Sequence, residues 1–138
     1  MGRIEVMSNS WVELLSGGQS IKAIYGEKTP SLDQIELHSI FLHRDGARAV
    51  LTFDIRELPN TIPEKWDRVH INKVQLSLMA IGIKDLELSG WNEKGIVDMK
   101  ILRADKGVEV QICASDISMK LVALSVFVEK ISAYRDEV

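Results

Sequence analysis

Apolar and polar residues alternate in run after run of residues 34–134, and this period of two constrains the fold more than any other feature of the chain. Successive side chains of a strand point to opposite faces of a sheet, so the alternation predicts strands with one buried face. Val74–Leu78 alternates cleanly, and Ala49–Ile55 carries its large apolar residues at every second position. The sequence therefore predicts a mainly β protein, with a β meander over about residues 34–134.

Two turn sequences separate such runs, at Arg44–Ala47 and at Asp105–Gly107. Asp45-Gly46 suits a tight hairpin turn, because both central residues of a type I′ turn need positive φ. Successive hairpins favour antiparallel pairing, since parallel strands require long crossover connections. We expect about seven antiparallel strands, in one curled sheet or in a two-sheet sandwich.

The boundaries of the later strands depend on weaker signals. Residues 69–80 and 83–89 are predicted as two separate strands. Ile117–Tyr134 has apolar spacings that fit either a helix or a strand. Its valines and Phe127 favour a long, bulged strand, because β-branched and aromatic side chains lose rotamer freedom in helices.

A helical segment is predicted ahead of the sheet, over about residues 9–25. Gly17-Gly18 divides it into two pieces, because paired glycines end a helix. Trp11 and Leu15 lie on one apolar face of the first piece, so the segment is expected to pack on the sheet. A chain of 138 residues suits a single domain, here residues 1–138.

Charge and hydropathy exclude several classes of partner. The chain has 17 Lys+Arg and 20 Asp+Glu residues without a basic patch, which argues against nucleic-acid binding. Val74–Ile83 is the longest stretch without these charged residues, and it is too short to cross a membrane. Residues 1–11 lack the apolar run of a signal peptide. Cys113 is the only cysteine and is predicted to be a buried, inert thiol. We therefore expect a cytoplasmic protein.

Histidines and carboxylates are the first candidates for catalysis. His38 and His43 lie five residues apart on one predicted strand, so they point to opposite faces unless a bulge intervenes. His70 is predicted on another strand. Glu36 and Asp54 on neighbouring strands could support acid–base catalysis, although carboxylates on a solvated strand face are the commoner case. No spacing typical of a metal, cofactor or nucleophile motif is present, so we expect neither a catalytic nor a metal site.

Two tryptophans lie outside the predicted strands. Trp66 falls in a long loop, residues 56–68, in which two prolines forbid a central strand. Trp91 falls in a turn. Such a tryptophan either plugs the end of the fold or stands exposed as an interface anchor, and both alternatives stay open for each residue. The candidate partner-binding residues are Trp66, Asp67, Arg68, Trp91 and Arg44.

Several short motifs occur in a familiar order, and the most specific of them is the Pro63-x-x-Trp66 step. The others are Ile24-Tyr25-Gly26, Pro30-Ser31-Leu32, Arg44-Asp45-Gly46, Leu51-Thr52-Phe53-Asp54, Pro59, Asn72-x-Val74 and Ile131-x-x-Tyr134. With these motifs the chain resembles the bacterial immunity protein 50 family from about Trp11 to Arg135. The resemblance implies a mostly β protein that is encoded beside a polymorphic toxin gene and neutralises the cognate toxin. It implies no catalytic residue and no cofactor, and it matches the family's characteristic tryptophan to Trp66.

The resulting hypothesis is a non-enzymatic immunity protein that binds a toxin domain and occludes it. One alternative is a small-molecule or sugar-binding β module with a pocket near Trp66 and Trp91. Another is a small hydrolase-like enzyme that uses His38 or His70 with Glu36 or Asp54. A third is a structural subunit of a larger assembly, which would show an exposed apolar patch.

Overall fold

A computed structural model describes residues 10–136, and residues 1–9, which include the start of the predicted helical segment, lie outside the described part. Within these described residues, a 3₁₀ turn and two short α-helices accompany six strands. The 3₁₀ turn is Trp11–Leu14, α1 is Gln19–Tyr25 and α2 is Glu64–Asp67. The strands are β1 Ile35–His43, β2 Arg48–Ile55, β3 Lys73–Gly90, β4 Ile96–Ala104, β5 Gly107–Ala114 and β6 Ile117–Tyr134.

The strands form one antiparallel sheet that closes into a barrel in the order β1–β2–β3–β6–β5–β4. Closure is narrow, because β4 meets β1 only at the pairs Ile35–Val97 and Glu36–Ile96. The two predicted hairpins are confirmed as the β1–β2 and β4–β5 connections. In the first turn the positive φ values fall at Gly46 and Ala47, so the predicted type I′ geometry at Asp45-Gly46 is wrong. The prediction of a mainly β antiparallel fold with an N-terminal helical segment is confirmed, and of the two alternatives, a curled sheet or a two-sheet sandwich, the structure forms the single curled sheet.

β3 differs from the sequence-based expectation, which placed two strands over the same stretch. It runs unbroken for 18 residues and stays paired with β6 from Lys73 to Gly90. Gly82 has a φ of 72°, and the pairing register shifts between Ile83 and Asp85. A bulge next to a glycine bends a strand without ending it. The break in alternation at Gly82 was therefore wrongly interpreted as a strand boundary. The described residues form six strands instead of the expected seven.

β6 confirms the prediction of one long, bulged strand over Ile117–Tyr134. Its register against β3 shifts where Ser77 pairs with Lys130 and Leu78 pairs with Val128, so Glu129 is the extra residue. β6 also pairs with β5 along its first half. β6 therefore lies between β3 and β5 and connects β1–β2–β3 to β5–β4 in the sheet.

The N-terminal segment contributes directly to the core. Val12, Leu15, Ile21 and Tyr25 are all buried among the inward-facing residues of the sheet. Ser16 exchanges backbone hydrogen bonds with β6, which fixes the segment beside that strand. Burial of such side chains stabilises the fold by about 1.5–3 kcal/mol for each large one, so this segment is an integral part of the barrel.

Cys113 contradicts the expectation of a buried thiol, because it is exposed. Val110 and Ile112 are fully buried on the inner face of β5. The next residue of a strand points the opposite way, which places Cys113 outside. Among the described residues, no helix is long and apolar enough to span a membrane.

Candidate functional site

A row of polar residues crosses the outer face of the barrel where β1, β2 and β3 run side by side. Glu36 pairs with Asp54, and Asp54 pairs with Gln75. Asp54 occupies an outward position on β2, yet only 3% of it is exposed. A buried carboxylate needs hydrogen-bond donors or a cation, so its surroundings define the first candidate site.

Three side chains surround the Asp54 carboxylate. The Tyr134 hydroxyl donates to Oδ2 at 2.5 Å, and the Gln75 side-chain amide donates to Oδ1 at 3.2 Å. His38 Nε2 lies 2.9 Å from Oδ2. His38 reaches the carboxylate because it is the extra residue of a bulge in β1, between Leu37 and Ser39.

These contacts give the cluster two possible chemistries. The nearest ligand atoms of Glu36, His38 and Asp54 all lie within 4.8 Å of one another, a spacing that a divalent cation could bridge. His38 and Asp54 also form the kind of pair that general acid–base catalysis uses. However, both carboxylate oxygens of Asp54 already have partners, which account for its burial without an ion.

Tyr134 has a perturbed pKa in this cluster. Desolvation and the hydrogen bond to the Asp54 carboxylate raise the pKa of Tyr134 above its ordinary value. The phenol therefore stays protonated and continues to donate to Asp54 at neutral pH. The cluster links β1, β2, β3 and β6 through one carboxylate.

The structure brings together three of the four residues that were considered for an enzyme. Glu36, His38 and Asp54 are neighbours, as described above. His70 was wrongly placed on a strand, because it lies in the turn after α2 with a φ of 51° and is exposed. The chain from Pro63 onward forms α2, so β3 starts three residues after His70, at Lys73. His43 is the end residue of β1, where its ring contacts Phe41.

The five residues proposed to bind a partner lie in three separate places. Trp66 is buried at 8% exposure and belongs to the core, whereas Asp67 and Arg68 beside it are exposed. Trp91 directly follows the opposite end of β3 and is 66% exposed. Arg44 lies in the β1–β2 turn. The structure thus separates these residues, and Trp91 is the exposed tryptophan among them.

Trp91 borders a groove of about 320 Å³. Its walls are formed by residues 36–40 of β1 and residues 91–95 of the turn after β3. Trp66 does not line this groove, and it lies near the opposite end of β3.

Sequence reasoning missed an uncovered strand edge that leads to Trp91. Beyond Ile83, β3 pairs with β6 alone among the described residues, and residues 84–90 are all exposed. Leu86 and Leu88 are 37% and 42% exposed. Their alternation with Asp85 and Glu87 was visible in the sequence, but it predicted an ordinary half-buried strand.

A row of apolar side chains on the outer face was also missed. Phe41 pairs with Val50, Val50 with Met79, and Met79 with Phe127, so four strands each contribute one residue. Phe41 is 54% exposed, and the other three are half-buried. In the sequence, these four residues are apolar at strand positions where the alternation of apolar and polar residues predicts an outward-facing polar residue. We call these four residues the outer apolar row.

The fold and these surfaces define the chain as a small antiparallel β-barrel domain with an exposed tryptophan and an uncovered strand edge. The sequence model of the family described as immunity protein 50 matches residues 17–134. The chain therefore belongs to the immunity protein 50 family, which confirms the resemblance. No curated protein and no solved structure matches the chain.

Proposed function

We propose that this protein neutralises a cognate toxin domain of a bacterial polymorphic toxin system by binding and occluding it. The observation that carries this proposal is the family match, which extends from α1 to the end of β6. The immunity protein acts in the cytoplasm of the producing cell and its kin. It catalyses no reaction and needs no cofactor.

The surface supports binding rather than turnover. Trp91 and several strand residues expose apolar area, including Phe41 and Leu124 at 54% and 56%. Large exposed apolar side chains are the usual anchors of protein interfaces. A standard interface buries roughly 1,200–2,000 Å² in total, which a barrel face with its adjoining turns can supply.

Co-expression tests the proposal. The C-terminal domain of the toxin encoded by the adjacent gene is expressed with and without this protein. We expect growth to be rescued and a complex to co-purify in a fixed ratio. A toxin that stays lethal, or that fails to co-purify, contradicts occlusion.

The pairing of His38 with Asp54 favours one rival function, an enzyme that inactivates the toxin or its product. The double variant Glu36→Gln/His38→Ala removes a carboxylate and the base but leaves Asp54 in place. Occlusion predicts that this variant still protects cells and still binds the toxin domain. Loss of protection with binding intact would instead establish catalysis at the cluster, and circular dichroism of the variant confirms its fold.

A further inference from the structure

We propose that the toxin docks by adding an extended strand to the free edge of β3, at residues 84–90, and that this strand alternates basic and apolar side chains. This inference rests on the proposed function, because it names the surface and the chemistry of the toxin segment. We call residues 84–90 the free edge.

The backbone of the free edge is available for pairing. The ladder between β2 and β3 ends where Arg48 pairs with Ile81, and one further bond joins the Ile83 N–H to the Ala47 carbonyl. After that point β2 turns back, while β3 continues to Gly90 against β6 alone among the described residues. Unpaired N–H and C=O groups along an exposed edge form a template for another strand.

The side chains of the free edge specify what that strand carries. Leu86 pairs with Leu121 and Leu88 pairs with Met119, so both leucines belong to the inner face of the sheet. The partners on β6 are buried, but the leucines are 37% and 42% exposed, because no strand of the described part of the chain covers their other side. Apolar residues of the incoming strand would complete this face.

Acidic residues occupy the opposite face of the same edge. Asp85 lies opposite Val122, whereas Glu87 lies opposite Lys120, so Asp85 has no cross-strand cation on β6. Opposite charges across a strand pair stabilise it, and like charges destabilise it. Lysine or arginine is therefore the favoured residue of the incoming strand opposite Asp85 and Glu87.

The same charges disfavour two of the registers in which a second copy of this chain could pair with the free edge. A symmetric antiparallel pairing centred on Leu86 places Asp85 opposite Glu87 of the other copy, twice. Centring the pairing on Glu87 places that carboxylate opposite its own copy. These two registers thus oppose like charges, whereas pairing centred on Leu88 would place Glu87 opposite Ser89.

Trp91 extends the surface beyond the end of the edge. It follows Gly90 directly and exposes 66% of its area. A tryptophan beside a strand edge can anchor a segment whose backbone is already aligned by pairing. The free edge and Trp91 therefore form one continuous docking surface.

Charge reversal tests the side-chain half of the proposal. The probe is the toxin domain encoded by the adjacent gene, and its affinity is measured by isothermal titration calorimetry. Asp85→Lys/Glu87→Lys is expected to weaken binding at least tenfold. The matched control Glu27→Lys/Glu129→Lys changes the net charge equally at exposed positions away from the edge, and it should bind within twofold of the wild type. Equal weakening by both variants overturns the proposal.

A proline pair tests the backbone half. Adjacent residues of a strand direct their N–H groups to opposite sides, so one of Glu87→Pro and Leu88→Pro removes a bond to β6 and the other removes a group of the free edge. We expect one variant to lower the melting temperature, and the other to keep it and lose binding. Wild-type binding by the variant that keeps its melting temperature overturns strand addition.

Three outcomes separate this inference from its alternatives. If the wild-type protein does not bind the toxin domain at all, the proposed function itself fails. If Phe41→Lys abolishes binding while both edge tests leave it unchanged, the outer apolar row is the docking surface and the free edge is not. If analytical ultracentrifugation shows a dimer that the edge variants dissociate, a second copy occupies the edge and the proposal is wrong.

Discussion

The Asp54 carboxylate is buried on the outer face of β2 and contacts one side chain from each of three other strands. His38, Gln75 and Tyr134 come from β1, β3 and β6. A buried carboxylate stabilises the fold only through its hydrogen-bond partners, since an isolated buried charge would be strongly unfavourable. At the scale of single residues, this cluster therefore fixes the lateral arrangement of four strands.

Removal of the carboxylate should be costly. Asp54→Ala leaves the donors of Tyr134 and Gln75 without their acceptor, so we expect the free energy of unfolding to fall by about 2–3 kcal/mol. The neighbouring Glu36→Ala, which removes a half-exposed carboxylate, should change it by about 0.5 kcal/mol or less. Urea denaturation at neutral pH measures both. A fall in wild-type stability after treatment with a chelator would show instead that the cluster holds a cation.

Tyr134 makes the stability of the fold depend on alkaline pH. Desolvation and Asp54 raise the pKa of Tyr134 in the folded protein, whereas a tyrosine of the unfolded chain ionises near pH 10. The contribution of Tyr134 is therefore fully present below about pH 10 and is lost as the pH rises through the folded-state pKa.

We expect the free energy of unfolding to decline as the pH rises above about 10, and Tyr134→Phe to flatten that decline. Tyr25 shifts in the same direction, because burial and Glu57 raise its pKa, so the decline should be flattest in the double variant with Tyr25→Phe. Urea titrations at several pH values give the slopes. Parallel slopes for wild type and variants would contradict the linkage.

At the scale of elements, the sequence predicted the positions of the hairpin turns better than it predicted the lengths of the strands. The Asp45-Gly46 and Lys106-Gly107 turns were found because two short strands with a glycine turn leave few alternatives. The length of β3 was not found, because Gly82 interrupts the alternation where the backbone bulges. Local sequence marks an irregularity, but the neighbouring strand decides whether pairing continues across it.

The β4–β5 hairpin depends on the absence of a side chain at its glycine. A Cβ at Gly107 would lie 2.0 Å from the Ala123 carbonyl oxygen of β6, a distance that requires backbone movement. Gly107→Ala should therefore destabilise the fold by about 2–3 kcal/mol. Gly26 has a φ of 69° but open space around it, so Gly26→Ala should cost only about 1 kcal/mol. Thermal unfolding measures the loss of stability in both variants. An equal loss would show that backbone strain at the glycine, rather than the clash of the new Cβ with β6, causes the destabilisation.

At the scale of the whole molecule, the relative register of the strands determines both how the barrel closes and where the free edge lies. β2 begins at Arg48, level with Ile81, so within residues 10–136 nothing pairs with β3 beyond Ile83 on that side. The sequence predicted β2 and, as two separate strands, most of β3. It did not predict the register between β2 and β3, which depends on the tilt of the strands in the barrel. Glu36 and Asp54 were expected on neighbouring strands because a hairpin turn joins these strands. The contact of Tyr134 with Asp54 depends on the register of β6, which the sequence did not predict.

The charge of the molecule gives the last prediction. The chain has a formal charge of −3, and the free edge adds two carboxylates where a basic strand is proposed to dock. Attraction between such surfaces speeds the encounter and is screened by salt. We expect the association rate constant with the toxin domain to fall several-fold between about 50 mM and about 500 mM salt in stopped-flow measurements. Asp85→Asn/Glu87→Gln should flatten this dependence, whereas Glu27→Gln/Glu129→Gln, with the same loss of charge, should keep most of it. An equal effect of the two variants would mean that net charge, rather than the placement of charge on the free edge, steers the complex.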